Sequence, residues 1–222
     1  MKKNRAGAEA KAKIAESTVR RLSLYLRFLQ EAQAAGEATI SSDELAQRGG
    51  TTSAQVRKDL SFFGSFGKRG LGYAVPELLR ALEEILGLHR TWNVALVGAG
   101  KIGSALISYR NFQRRGFEIK AVFDADPEKI GRRWGTRTIL SDDDLEEVLA
   151  REEIEMAVVA VPADAAQPVV DRIIRAGVRA ILNFAPVRLR VPEDIALRNV
   201  DMVVEMEGLS FALNSERPGV RG

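Results

Sequence analysis

Three glycines, Gly98, Gly100 and Gly103, stand in the stretch GAGKIG. The spacing G-x-G-x-x-G has a mechanical reading. The first glycine permits a tight turn, the second lets the backbone approach a pyrophosphate, and the third lets a helix pack closely on a strand. Exposed N–H groups at the start of that helix attract phosphate. The motif is weak alone, and its context decides. Here an apolar segment, WNVALV, precedes it and a helical pattern, KIGSALISYRNF, follows. A second apolar segment, FEIKAVFDAD, reaches Asp124. A carboxylate at that point accepts hydrogen bonds from ribose hydroxyls and repels a 2′-phosphate. The pattern predicts an NAD(H) site. Asp126 is the competing acid, and Arg132 with Arg133 would suit NADP(H). A CoA-binding domain of the same shape, or a glycine turn that merely closes a sheet, are the alternatives.

Hydride transfer needs a proton donor or acceptor beside the nicotinamide. The single histidine, His89, precedes the first strand of the sheet, on the wrong side of such a fold. A Tyr-x-x-x-Lys pair is missing, since four residues after Tyr25, Tyr73 and Tyr109 come Leu29, Glu77 and Gln113. Lys101 lies inside the phosphate turn, where it suits a phosphate contact. There is no cysteine, so no thiol nucleophile, disulfide switch or Cys-based metal site is available. One histidine also excludes a His-rich metal centre. The expectation is a binding site without a reaction: no catalytic residues, no metal, not an enzyme.

A second constellation lies upstream. Leu22, Tyr25, Leu26 and Leu29 fall at i, i+3, i+4 and i+7, one face of a helix over 18–35, with Gly36 suited to its end. Ser41 and Glu44 form a capping box for a short second helix, broken by Gly49 and Gly50. A third helix begins near Thr52 or Ser53, with Val56, Leu60 and Phe63 as its apolar stripe. Two short helices around a glycine turn are the helix-turn-helix pattern. If the third helix enters a major groove, Ser53, Gln55, Arg57, Lys58 and Ser61 are placed for bases and phosphates. GSFGKRGLGYAV then predicts a tight β-hairpin, a wing with Lys68 and Arg69 at its tip, and PELLRALEEILGL a fourth helix with Pro76 in its first turn.

Charge agrees with this division. Residues 1–90 carry 15 Lys+Arg against 10 Asp+Glu, and residues 91–222 carry 18 against 20, within a net charge of +3. A polyanion would meet the front of the chain. No apolar run reaches the roughly 18 residues needed to span a bilayer, and the basic start has no apolar core of a signal peptide behind it. With the lack of cysteine, this predicts a cytoplasmic protein without a membrane partner.

From Trp92 onward strands alternate with helices: FEIKAVFDAD, LEEVLAREE, MAVVAVP, ADAAQPVVDRIIRAG and VRAILNFAP. That order predicts an α/β fold with a doubly wound parallel sheet. VDMVVEM reads as a last strand and GLSFALN as a short apolar helical tail. The expected organisation is a flexible basic arm over 1–17, a winged helix-turn-helix domain over 18–90, a Rossmann NAD(H)-binding domain over 91–205, and a C-terminal helix and tail over 206–222.

QVRKDLSFFGSFGKRGLGY (55–73), GAGKIGSAL (98–106), FDADPEKIG (123–131) and ILNFAP (181–186), in that order, resemble the Rex family of redox-sensing transcriptional repressors across residues 18–213. The resemblance implies a homodimer whose C-terminal helix is exchanged between subunits. It implies binding to inverted-repeat operator DNA, release by NADH, and competition from NAD⁺. It assigns DNA contact to Arg57, Lys58, Lys68 and Arg69. Gly98, Ala99, Gly100, Lys101, Ile102 and Gly103 would hold the pyrophosphate, and Asp124 the adenosine ribose. Val161, Pro162, Asn183, Phe184 and Ala185 would line the nicotinamide side. Tyr109 on the first Rossmann helix, the partner subunit's Asp201 on its C-terminal strand and Arg27 on the first winged helix would form a switch. Met202 stands where family members can carry an aromatic.

Apolar walls around the ring disfavour the charged NAD⁺, so NADH should bind more tightly. The rival readings are a small NAD(P)-dependent reductase, a CoA- or nucleotide-binding regulator, and a scaffold whose winged helix binds protein.

Overall fold

A computed structural model describes residues 14–67 and 70–215. The chain divides into two compact units, residues 1–90 and 91–222.

In the first unit, helix α1 (Glu16–Ala34) starts two residues before the expected position and buries Leu22, Tyr25, Leu26 and Leu29. Burial of each leucine contributes about 1.5–3 kcal/mol. Strand β1 (Thr39–Ile40) leads into α2 (Ser42–Gly49). The capping box forms: Glu44 N–H donates to Ser41 Oγ at 3.1 Å, and Ser41 N–H donates to Glu44 Oε2 at 2.7 Å. Gly50, at φ +58°, closes α2 in the left-handed region. Thr52 then caps α3 (Ser53–Ser61), its hydroxyl accepting from Gln55 N–H at 3.1 Å. Val56 and Leu60 are buried, and Phe63 falls beyond the helix end.

Strand β2 (Tyr73–Ala74) pairs antiparallel with β1, and the expected wing tip, Lys68 and Arg69, lies outside the described residues. Gly67 and Gly72 explain the tight return, both at φ +75°. A Cβ on Gly67 would meet Gly72 O at 2.5 Å, and one on Gly72 would meet Ile40 O at 2.6 Å. Helix α4 (Val75–Ile85), with Pro76 in its first turn, completes the unit through Leu78, Leu79 and Leu82.

The second unit is built on a sheet whose strands lie in the order β5 (Arg133–Trp134), β6 (Arg137–Ser141), β4 (Phe117–Asp124), β3 (Trp92–Val97), β7 (Met156–Val159), β8 (Ala180–Asn183) and β9 (Ala196–Asn199), parallel except for the antiparallel β5. Strand β3 (Trp92–Val97) is followed by α5 (Lys101–Ile107), a short α6 (Asn111–Arg114) and β4 (Phe117–Asp124). One continuous helix through Phe112 was expected. It stops at Ser108, whose hydroxyl turns back onto Ser104 O at 3.1 Å, so residues 108–110 form a break. Strands β5 (Arg133–Trp134) and β6 (Arg137–Ser141) carry too few apolar residues to announce themselves.

After a 3₁₀ turn at Asp142–Asp144 come α7 (Leu145–Arg151), β7 (Met156–Val159), α8 (Ala163–Arg175) and β8 (Ala180–Asn183). The last strand is β9 (Ala196–Asn199), and Met202 to Met206 of VDMVVEM belong to the final helix α9 (Met202–Ser215). This corrects the expected strand, and the helix begins four residues before the expected boundary at 206. Its physical cause is Asp201, whose Oδ1 accepts from Val203 N–H at 2.9 Å and starts a helix in place of the expected strand.

One sheet face packs Ala95, Val97, Phe123, Val159 and Ile181 against α7 and α8. The other holds Val94, Leu96, Val122 and Val158, with Trp134 and Leu106 beside them. On that second side an apolar hollow of about 300 Å³ is lined by Phe112, Phe117, Ile119, Met156 and Leu182, among others. Every described residue of α9 is exposed, including Met202, Met206, Leu209 and Phe211.

Candidate functional site

Strand order reverses between β3 and β7, and crevices at such a point take ligands outside the carboxyl ends of the strands. Gly98 leaves β3 at φ +105° and donates its N–H to Phe123 O at 2.8 Å. A Cβ there would lie 2.6 Å from Ala160 C and run into Ala160 O. A Cβ on Gly103 would run into Gly98 O and sit 3.3 Å from the Trp134 ring. Two glycines thus fold the turn onto its own strand and onto the end of β7. Gly100 is different, because a Cβ on it would meet nothing within 4 Å. Its bareness leaves room for a ligand rather than for protein. Ala99 is buried, while Lys101 and Ile102 are exposed at the start of α5.

Asp124 is stapled to this turn. Its Oδ2 accepts from Ala99 N–H at 2.7 Å and from Lys129 Nζ at 3.1 Å, and its Oδ1 accepts from Asp126 N–H at 2.9 Å. Burial pushes its carboxyl up, but the donors from Asp126, Lys129 and Ala99 outweigh this and hold it below the usual carboxylate range. The acid expected to meet a ribose therefore also orders the glycine turn. Lys129 went unnoticed in the sequence. Its spacing of five from Asp124 carries no helical or strand signal.

Across the crevice, Val161 is half-buried, and exposed Pro162 caps α8. After β8, Phe184 is half-buried and Ala185 is buried. Asn183 was expected to line the ring side, but its fully buried amide serves the loop instead. Nδ2 donates to Ala185 O (3.1 Å), Val187 O (3.3 Å) and Asn199 Oδ1 (2.9 Å), and Oδ1 accepts from Ala185 N–H (2.9 Å). This is a correction: Asn183 shapes the FAP turn and ties it to β9.

In the first unit, Arg57 and Lys58 stand exposed on α3, and Ser53 is half-buried in its first turn. Arg57 Nη1 donates to Ser42 Oγ at 2.9 Å, bridging the two helices of the motif. Ser61 turns its hydroxyl onto Lys58 O at 2.7 Å, which takes it out of the set of free donors. Gln55 is not a free outward side chain either. Its Nε2 donates to Asp59 Oδ1 at 2.8 Å. Asp59, close to Arg57 and Lys58 in the sequence, has a fully buried side chain. Lys68 and Arg69 lie outside the described residues.

The three expected switch residues are placed as follows. Arg27 is exposed on α1. Tyr109 is 53% exposed in the break after α5, not on the helix, with its ring edge-on to Phe112 at 5.3 Å. Asp201 caps α9 and is not on a strand. Among the described residues no group of three or more His, Cys, Asp or Glu is placed to hold a metal ion, and no helix is long and apolar enough to cross a membrane.

Known proteins match both units. A family model described as "CoA binding domain" covers residues 89–187, and one described as "Putative DNA-binding protein N-terminus" covers 13–61. A protein named redox-sensing transcriptional repressor Rex from Carboxydothermus hydrogenoformans is 50% identical over 204 residues, 92% of this chain and 98% of that one. The protein of the same name from Desulforamulus reducens is 47% identical, covering 90% and 96%. Crystal structures agree. RSP in complex with β-NAD⁺ and operator DNA superposes with a TM-score of 0.87 at 38% identity, over 91% of this chain and 94% of that one. RSP with β-NADH gives 0.83 at 37% identity, covering 92% and 96%. Identity of this extent over nearly full length, on both a helix-turn-helix and a glycine-turn unit, means that the chain belongs to the Rex family of redox-sensing transcriptional repressors.

Proposed function

We propose that this chain is a transcriptional repressor that binds inverted-repeat operator DNA as a homodimer and is released when NADH occupies the crevice at Gly98. It is a regulator and not an enzyme, and it works in the cytoplasm, where its DNA is. The observation that carries this reading is the glycine turn at the strand-order reversal. Gly98 and Gly103 have no space for a side chain, while Gly100 faces open space. Those residues fit a dinucleotide pyrophosphate, with Lys101 and Ile102 at the rim and Asp124 beside the ribose. Lys68 and Arg69 would join Arg57 and Lys58 in holding DNA phosphate, with Ser53 beside them in the first turn of α3.

The ligand supplies a signal: reduced and oxidised forms differ by a hydride and a ring charge. Val161, Pro162, Phe184 and Ala185 would face the ring, and the Asn183 amide is engaged with Ala185, Val187 and Asn199. A cation among such neighbours lacks a partner and is costly, so NADH binds the more tightly. Moving a repressor from 99% to 1% competent takes about 5.5 kcal/mol of differential binding, about 2.7 kcal/mol for each of two sites. Arg27, Tyr109 and Asp201 would translate that difference into the spacing of the two α3 helices. Half-sites lie about 34–36 Å apart or a multiple of that, so a modest rotation suffices.

The dimer reading rests on α9. A helix apolar on all sides is a buried helix, and here each described residue of it is exposed. A second copy would cover it, and the apolar hollow beside Phe112 and Met156 is a matching seat.

Operator binding measured by fluorescence anisotropy, with NADH and NAD⁺ added in turn, tests the proposal. NADH should release DNA at concentrations where NAD⁺ does not. Equal behaviour at saturation overturns it.

A further inference from the structure

Asp59 is the most heavily bonded side chain described. Arg21 Nε reaches Oδ2 at 2.6 Å and its Nη2 reaches Oδ1 at 2.7 Å, in a bidentate fork. Tyr25 OH donates to Oδ2 at 3.0 Å, Thr18 Oγ1 to Oδ1 at 3.3 Å, and Gln55 Nε2 to Oδ1 at 2.8 Å. The carboxylate is 0% exposed and Arg21 is 24% exposed. Three of the four donor residues come from α1, and the fourth from the first turn of α3.

That arrangement dictates how Gln55 is turned. An ionised carboxylate only accepts hydrogen bonds. Were the amide of Gln55 reversed, two acceptor oxygens would face each other at the same close separation. The fork from Arg21 keeps Asp59 ionised, so the amide nitrogen must point inward. Oε1, on the opposite side of the amide carbon, is turned away from the carboxylate. Gln55 sits in the first turn of α3, and residues at that end of a recognition helix meet base edges. In the major groove, adenine and cytosine offer an exocyclic amino donor. Guanine offers the N7 and O6 acceptors there, and thymine offers O4.

We infer that Asp59 acts as a positioning residue that locks the Gln55 amide with its oxygen toward the DNA, so that Gln55 selects a base with an exocyclic amino group, adenine or cytosine, at one position in each half-site. The inference rests on the DNA-binding reading above and adds to it which side chain reads, what chemistry it reads, and what fixes it.

The test is a binding profile over operators carrying each base in turn at every half-site position, for the wild-type chain, Gln55→Met and Asp59→Asn. Gln55→Met keeps the length of the side chain and removes its polar end. The wild type should prefer an amino-bearing base at one position by roughly fivefold to a hundredfold, the range of one good base contact. Adenine alone at the top means that the second amide hydrogen also reads N7, and adenine with cytosine means that Oε1 reads alone. Gln55→Met should flatten that position to within about twofold, leave the other positions ordered as before, and bind NADH unchanged. Asp59→Asn should admit guanine or thymine there, because a neutral neighbour lets the amide turn. A Gln55→Met profile identical to wild type, or lowered equally at every position, overturns the inference alone. A wild type with no sequence preference on any duplex overturns the DNA-binding reading with it.

Discussion

The backbone N–H of Ala99 donates to Asp124 Oδ2 at 2.7 Å, so the glycine turn after β3 is held by the last residue of β4. One carboxylate orders the loop and stands where a ribose would be read. Asp124→Ala removes both contributions. The loss of a charged hydrogen-bond acceptor at such a site is worth about 1.5–3 kcal/mol. NADH affinity, read by fluorescence titration, should fall by roughly tenfold to a hundredfold. Operator binding without cofactor should be unchanged.

Gly98 and Gly100 should part company. Gly98→Ala places a methyl against Ala160 in the left-handed region. The unit should lose about 2–4 kcal/mol and melt earlier. Gly100→Ala meets no atom within 4 Å, so its thermal midpoint should stay put. Its NADH affinity should nevertheless drop by an order of magnitude or more, because the added methyl stands where the pyrophosphate must approach. Calorimetry and titration on the two variants separate the roles.

Asn183→Ala strands the buried Ala185 N–H and releases Asn199. An unsatisfied buried donor costs about 1–3 kcal/mol. For a chain of this size the midpoint should fall by roughly 2–4 °C per kcal/mol. The NADH/NAD⁺ preference should narrow too, since the FAP turn loses its shape.

The Asp59 cluster sets an acid limit. Burial raises its carboxyl, but bonds from Arg21, Gln55 and Tyr25 and the charge of Arg21 win, and the folded group titrates below the ordinary value of 3.8. A depressed carboxylate stabilises fully above its unfolded pKa, and the contribution disappears as pH falls through the folded one. The first unit should therefore hold steady from neutral pH down to about pH 5 and weaken steeply below about pH 4. Asp59→Asn should be less stable at neutral pH and should lose much of that slope. Removing the acid altogether, as Asp59→Ala, should cost about 3 kcal/mol, since Arg21 and Tyr25 lose their partner. Chemical denaturation from pH 3 to pH 7 checks both statements.

Local features were legible in the sequence. The capping box of Ser41 and Glu44, the turn at Gly50 and the phosphate turn each sit within six residues, and their physics is short-ranged. Val94 to Val97 and Met156 to Val159 announced buried parallel strands by continuous apolarity. The residues that organise the sites were not legible, because their partners are distant. Thr18 and Asp59 lie 41 residues apart, and Asn183 and Asn199 lie 16 apart. Asp59 sits in the run RKD, which reads as solvated charge. Strand β6 has only Ile139 and Leu140 as core candidates, so TRTILS gave no strand signal. The tail misled for the opposite reason: VDMVVEM is rich in valine, which favours strands, and only the cap at Asp201 decides for a helix.

The bare apolar rod at the C-terminus has a thermodynamic corollary. A lone subunit keeps Met202, Leu209 and Phe211 in water. In the proposed homodimer, completing the fold and finding a mate are a single equilibrium. Its melting midpoint should climb with protein concentration, as mass action requires, and dilution alone should disarm the protein with no change of redox state.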